Sequence, residues 1–219
     1  MKVILVLGMV SLAILLGVSC NPEAKAATEL FSAIAAMDGI HSYRTTYEGT
    51  NVYDDTQESL IIRSRAEVAG PDIYHTWTED QLGWREFIRI GSEAYYRAED
   101  DPQWQVYDAQ TCPIKFFYIS LQQSLAPFKE ATSVDVLADG QVLGVPCSHY
   151  GATCEWEADL SGTAEFWIDA DGYVRRVLAS VDYEEVDESA GTRRPATMTS
   201  ITEVFDLNDS ISISPPVLS

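Results

Sequence analysis

The residues able to do chemistry are few and scattered. The 219-residue chain has 3 histidines, His41, His75 and His149, none in a recognisable catalytic constellation. It contains no GxSxG elbow, no HExxH pair and no phosphate-cradling glycine loop. Its 34 acidic residues could supply a carboxylate pair for general acid–base work, yet nothing in their spacing selects one. Asp169-Ala170-Asp171-Gly172 begins like a calcium loop but lacks the third acid and the distal glutamate, so a hairpin turn explains it better. The reading is non-enzymatic, with no metal and no cofactor.

Cysteine chemistry is more informative. Lys2, the apolar run Val3 to Val18 and then Gly17-Val18-Ser19-Cys20 have the order of an export signal. A helical run of about 16 residues covers about 24 Å, short of a bilayer core of about 30 Å, so a cleaved signal fits better than a spanning anchor. Small residues leave room for a peptidase before Cys20, whose thiol would carry a diacylglycerol. This stretch resembles the lipobox of bacterial lipoproteins, with Gly17 where leucine is usual. Cleavage after Ala26 in ordinary secretion is the rival. The expected organisation is a signal peptide over 1–19, a lipidated Cys20 with a polar tether over 20–27, and one domain over 28–219. An extracytoplasmic domain held to the membrane follows. In that oxidising setting one disulfide is expected among Cys112, Cys147 and Cys154. Cys147–Cys154 would close a short loop around His149, and Cys112–Cys147 would pin a helix to the sheet; the local pair is favoured. A zinc site using His149 has no supporting spacing.

A net charge of −20 excludes a nucleic-acid partner, since no basic patch could neutralise phosphates. It also argues against a domain lying flat on anionic headgroups; attachment would come from acyl chains.

The positioning elements are legible from periodicity. Leu30, Phe31, Ile34, Ala35 and Met37 form one helical stripe over Thr28 to Ile40, with Thr28 as N-cap. From Tyr43 the period becomes two and continues to Tyr107, with turns at Asp54-Asp55, Gly70-Pro71, Gly91-Ser92 and Asp100 to Pro102. Ile114, Phe117, Tyr118, Leu121 and Leu125 then form the apolar face of a second helix between Pro113 and Pro127. Strands resume at Ser133. A hairpin is expected at Asp139-Gly140, a break at Gly151, another hairpin at Asp171-Gly172, a polar loop over Glu184 to Pro195, and a short edge at Ile211 to Ile213. The result is an α+β chain: a curved antiparallel sheet of about eleven strands, a half-barrel covered by two or more helices. Trp77, Trp84, Tyr95, Tyr96, Trp104, Tyr107, Trp156 and Trp167 fall on strands, where they are expected in the core, some lining a cavity.

Several short stretches fit together in order: Cys20, Phe31 and Met37, Ser42-Tyr43, Gly144-Val145-Pro146, His149-Tyr150, Phe166-Trp167-Ile168-Asp169, Asp171 to Val174 and Pro215-Pro216. In that order the chain resembles the LppX/LprG-type lipoproteins, within the wider LolA/LolB-like carrier fold. The resemblance implies an apolar cavity for acyl chains and a lipid or acylated molecule as partner, with Ile114, Phe117, Tyr118, Leu121 and Leu125 as cavity candidates. It implies no catalytic residue. The rival function is a tethered interaction or sensor domain with a solid core.

Overall fold

The computed structural model describes residues 22–112, 121, 125, 128–129, 131–157, 160–187 and 192–218. Helix α1 (Pro22–Ala36) is followed by a 3-10 turn (Met37–Gly39). Proline suits a first helical position, where its missing N–H has no partner to lose. The helix therefore starts inside the expected tether. Thr28 is not its cap: it lies within the helix, and its hydroxyl donates to the Ala24 carbonyl (2.8 Å). The stripe of Leu30, Ile34 and Met37 is buried as expected, and Ala26 extends it backward. Among the described residues, no helix is long and apolar enough to cross a membrane.

The strands are β1 (Tyr43–Tyr53), β2 (Ser59–Gly70), β3 (Ile73–Asp80), β4 (Gly83–Ile90), β5 (Glu93–Ala98) and β6 (Gln105–Asp108), then β7 (Ser133–Val136), β8 (Gly140–Val142), β9 (Val145–Glu157), β10 (Leu160–Asp169), β11 (Val174–Asp187) and β12 (Thr192–Phe205). They form one open, antiparallel 12-stranded sheet, ordered β6-β5-β4-β3-β2-β1-β12-β11-β10-β9-β7, with β8 also on β9. This is the expected curved half-barrel with one strand more. Each half is a meander of neighbours in sequence. The halves join where β1 pairs with β12, from Arg44 opposite Phe205 to Tyr53 opposite Ala196. Because β6 and β7 are opposite edges, the chain between them must cross a face of the sheet. Leu121, Leu125 and Phe128, all buried in the core, show which face it crosses.

Four expectations change. The region from Glu184 to Pro195 is mostly strand, with Glu185 opposite Arg194 and Asp187 opposite Thr192. Ile211 to Ile213 lies outside the strands. The Asp139-Gly140 hairpin does not form: β7 and β8 both pair with β9, and the tight turn is Leu143-Gly144, with φ of 51° and 83°. Both angles suit the turn that matches strand twist. Gly140 serves packing instead, since a Cβ there would lie 3.1 Å from the Trp167 indole nitrogen.

The fourth is the Cys147–Cys154 disulfide, which is overturned. Gly151 does not break the strand, so both cysteines lie on β9, where they are free thiols, as is Cys112. At about 3.3 Å per strand residue they stand roughly 23 Å apart. A disulfide needs Cα atoms within about 7 Å.

Candidate functional site: the inner face of the half-barrel

Strand register assigns every side chain to one of two faces. The inner face carries Tyr43, Val68, Tyr74, Phe87, Ala94, Tyr150, Phe166, Val177 and Val204, all buried in one cluster with α1. α1 packs on β7 and β10. The crossing segment is fastened at several points. The backbone N–H of Leu121 donates to the Tyr43 hydroxyl oxygen (3.1 Å), which sets Leu121 over β1. The rings of Phe128 and Phe166 meet edge to face at 4.9 Å. Lys129 pairs with Asp38 of the 3-10 turn (3.0 Å). Of the expected cavity residues, Leu121 and Leu125 are thus buried in the interior, 4% and 2% exposed. Ile114, Phe117 and Tyr118 lie outside the described residues, as does Cys20.

Further along the strands, the inner face changes character. Ser64, Thr76, Thr78, Ser200 and Thr202 replace the large apolar side chains. Most are only partly buried, but Thr76 is 5% exposed and its hydroxyl has no hydrogen-bond partner among the described residues. Tyr47 leans along β1 over Gly49, where an added Cβ would come within 2.4 Å of the phenol oxygen. Burial pushes that phenol's pKa above its usual value. Beyond them the face is apolar again, with Tyr53, Val181 and Ala196 buried, so the inner face carries a band of hydroxyls beside its apolar core.

No protein-family model matches the sequence, and no curated protein sequence matches it significantly. The fold does have a solved counterpart. LprF from Mycobacterium bovis superposes with a TM-score of 0.56 at 11% identity, over 89% of this chain and 98% of that one.

The chain has the fold of LprF.

Two looser likenesses are a LolA superfamily protein, NE2245 from Nitrosomonas europaea (TM-score 0.30, 10% identity, 86% of this chain and 94% of that one), and the MucA/MucB complex of Pseudomonas aeruginosa (0.35, 14%, 80% and 57%). Neither is close enough to argue from. The LprF likeness bears out the half-barrel that the sequence resemblance implied, at an identity that carries fold alone.

Set on the LprF fold, the tryptophans fall elsewhere than expected. Trp77, Trp84, Trp104 and Trp167 stand half-buried on the outer face, not in the core. Arginines lie over them: Arg65 over Trp77 (5.1 Å), Arg97 over Trp84 and Trp104 (5.7 and 4.5 Å), Arg176 over Trp167 (5.3 Å). His149 stacks on Trp167 at 4.1 Å and its Nε2 lies 2.9 Å from Glu165, so this histidine is committed to the surface lattice. Alternating spacing marks two faces without saying which is inner, and the arginines opposite Trp77 and Trp167, Arg65 and Arg176, were the missed signal. Asp169, the first acid of the calcium-like run, caps the β10–β11 turn: it accepts the N–H groups of Asp171 and Tyr173 (3.0 and 2.9 Å) and pairs with Arg175 (2.5 Å).

Two acidic groups of the inner face have strongly displaced pKa values. Burial pushes the Cys154 thiol up to about 11 from 9.0. Burial, then the hydrogen bond to Glu29 (2.7 Å), pushes the Tyr150 phenol up to about 12 from 10.0. Both folded-state values are raised, so the stabilisation is complete below the unfolded pKa and is lost as pH rises through the folded one. Stability should fall as pH climbs from about 9 to about 11 through Cys154, with Tyr150 adding to the loss above about 10. Urea midpoints across that window check this. The decline should be shallower in Cys154→Ala, and an equal slope in both proteins would remove Cys154 as its source.

Proposed function

We propose that the chain is an extracytoplasmic lipoprotein that binds a lipid or an acylated molecule on the inner face of its half-barrel, for carriage across the cell envelope. In this reading residues 1–19 are the signal, Cys20 carries the diacylglycerol, and the domain begins almost at once because α1 starts at Pro22. The ligand engages no catalytic group, and no nucleic acid is involved.

The observation that carries the reading is the band of hydroxyls beside the apolar core of the inner face. An amphipathic ligand pairs polar and apolar parts in the same way. Its chains belong in the apolar core by Leu121, Leu125 and Phe166; its ester or headgroup belongs beside Thr76, Thr78 and Ser64. A buried hydroxyl without a partner typically costs about 1–3 kcal/mol, a cost that a ligand's carbonyl acceptor at Thr76 would offset. The fold supports the reading, since the half-barrel shape is shared with LprF. The second reading, an interaction domain with a solid core, is favoured by one observation: Leu121, Leu125 and Phe128 are already packed.

Native mass spectrometry of the full chain purified from membranes separates the two. The expected spectrum shows a chain beginning at a diacylglyceryl-modified Cys20, with a co-purified acyl ligand. Thr76→Val should raise stability by about 1 kcal/mol while lowering ligand occupancy. No ligand in repeated preparations, with stability and acyl-probe binding unmoved by Thr76→Val, would leave the solid-core reading.

A further inference from the structure

The outer face holds a second candidate site, unconnected with the inner one. A depression of about 330 Å³ lies over β1, β2 and β3, lined by Arg44, Thr46, Arg65, Glu67, His75 and Trp77. Its size falls at the lower end of small-molecule pockets, which span about 300–1,000 Å³. Most of its charges are already spent. Arg44 is held by Glu67 (2.7 Å) and Asp206 (2.6 Å), and His75 Nε2 lies 2.7 Å from Glu86. Neighbouring carboxylates are spent too: Glu48 on Arg63, Glu203 on Arg176, Glu86 also on Arg97. Arg65 is the exception. Among the described residues it is the arginine without a carboxylate partner, in a chain with 34 acids and 14 bases. Its cross-strand neighbours are Thr46 and Trp77, neither of them acidic.

Arg65 is held over the Trp77 ring, which orients the guanidinium while leaving its N–H edge free. A planar fork of donors beside an exposed threonine hydroxyl matches an oxyanion. A phosphate monoester fits better than a carboxylate, because its dianion gains about twice the Coulomb energy from the same guanidinium. The lining sums to one positive charge on a strongly acidic molecule, so a small anion finds its attraction concentrated here.

We propose that this depression binds a phosphate ester, with Arg65 as the anion-binding residue, Trp77 as its platform and Thr46 as a second donor. The phosphate could come from a free phosphorylated metabolite or from a lipid headgroup; the chemistry at Arg65 is the same.

Isothermal titration of the full chain in neutral detergent distinguishes these sources, with sn-glycerol 3-phosphate and dihexanoyl-phosphatidic acid, both phosphate monoesters, as probes and acetate as the carboxylate comparison. Saturable binding of a phosphate probe, tighter than acetate and weakened about tenfold or more by Arg65→Gln, is expected. Arg63→Gln removes the same charge from the same strand and face, and should change affinity less than about twofold. Whichever phosphate probe binds more tightly through Arg65 names the source. No saturable binding of either probe, equal loss in both variants, or acetate binding as tightly as phosphate would overturn the proposal. Dihexanoyl-phosphatidic acid binding that Arg65→Gln leaves intact belongs to the inner face and would also count against it.

Discussion

Asp169→Ala should destabilise the domain by about 3–5 kcal/mol, the range for breaking a buried ion pair from one side. The Asp169 side chain is 3% exposed and that of Arg175 is 18% exposed, so the substitution strands a guanidinium with little water around it. It also removes the acceptor for two turn N–H groups. Asp169→Asn keeps an oxygen for the turn but no charge for Arg175, so it should lose an intermediate amount. Urea denaturation checks both, and Asp169→Ala with Arg175→Ala should lose less than the sum of the single losses. Small domains commonly hold only about 5–15 kcal/mol in all, so the single change removes a large share of it. A loss below about 1 kcal/mol would mean that water already satisfies Arg175.

Phe166→Ala should cost about 3–5 kcal/mol, from lost burial and the cavity left behind. Phe166 is fully buried and is the largest side chain so enclosed. It also touches Phe128, which closes the segment crossing between the two edges. The substitution should therefore loosen that crossing more than it loosens the sheet. Limited proteolysis reports this: new cleavage between residues 113 and 130 should appear before any in β9 to β11. Phe128→Ala should open the same region, and the double substitution should fall short of additivity by about 0.5–1.5 kcal/mol, the worth of an aromatic pair. Cleavage spread evenly over the domain would show that Phe166 supports the sheet alone.

Much of this architecture could be read from residue order, and what escaped has physical causes. The stripe Leu30, Ile34, Met37 predicted α1 because one helical face must be apolar to be buried. Alternation from Tyr43 to Tyr107 predicted a meander of about six strands because a two-residue repeat is the geometry of the strand itself. Gly151 misled, since glycine inside a strand usually signals a bend; here it makes room for Leu137, whose Cδ1 would sit 3.4 Å from an added Cβ. That single misreading split β9 in two and brought Cys147 and Cys154 falsely together. The stretch Glu184 to Pro195 escaped because its strands carry charge and a proline in place of an apolar alternation. The hydroxyl band of the inner face escaped for a related reason: threonines and serines at alternate positions look like an ordinary solvent-facing strand. Only the register of β1, β2, β3 and β12 puts Thr76, Ser64 and Thr202 on the same side as the core.

The seam between β1 and β12 sets the order in which the molecule can assemble. Each meander can fold from contacts close in sequence, whereas Arg44 must wait for Phe205, at the far end of the chain. Long-range pairings of this kind raise contact order and slow folding. If the chain is exported as proposed above, it emerges amino end first, so β1 leaves the translocation channel with its second neighbour still inside the cell. Until β12 arrives, the edge of β1 carries unpaired backbone groups, an invitation to aggregation. The described segment that follows β12 lies against the entry to β1: the Asn208 N–H donates to the Ser42 carbonyl (2.8 Å), the His41 N–H to the Asn208 side chain (3.2 Å), and the Ser42 hydroxyl to the Asp209 carbonyl (2.7 Å). Closing the half-barrel is thus a late, single event, and it comes only once β12 is available to pair with β1.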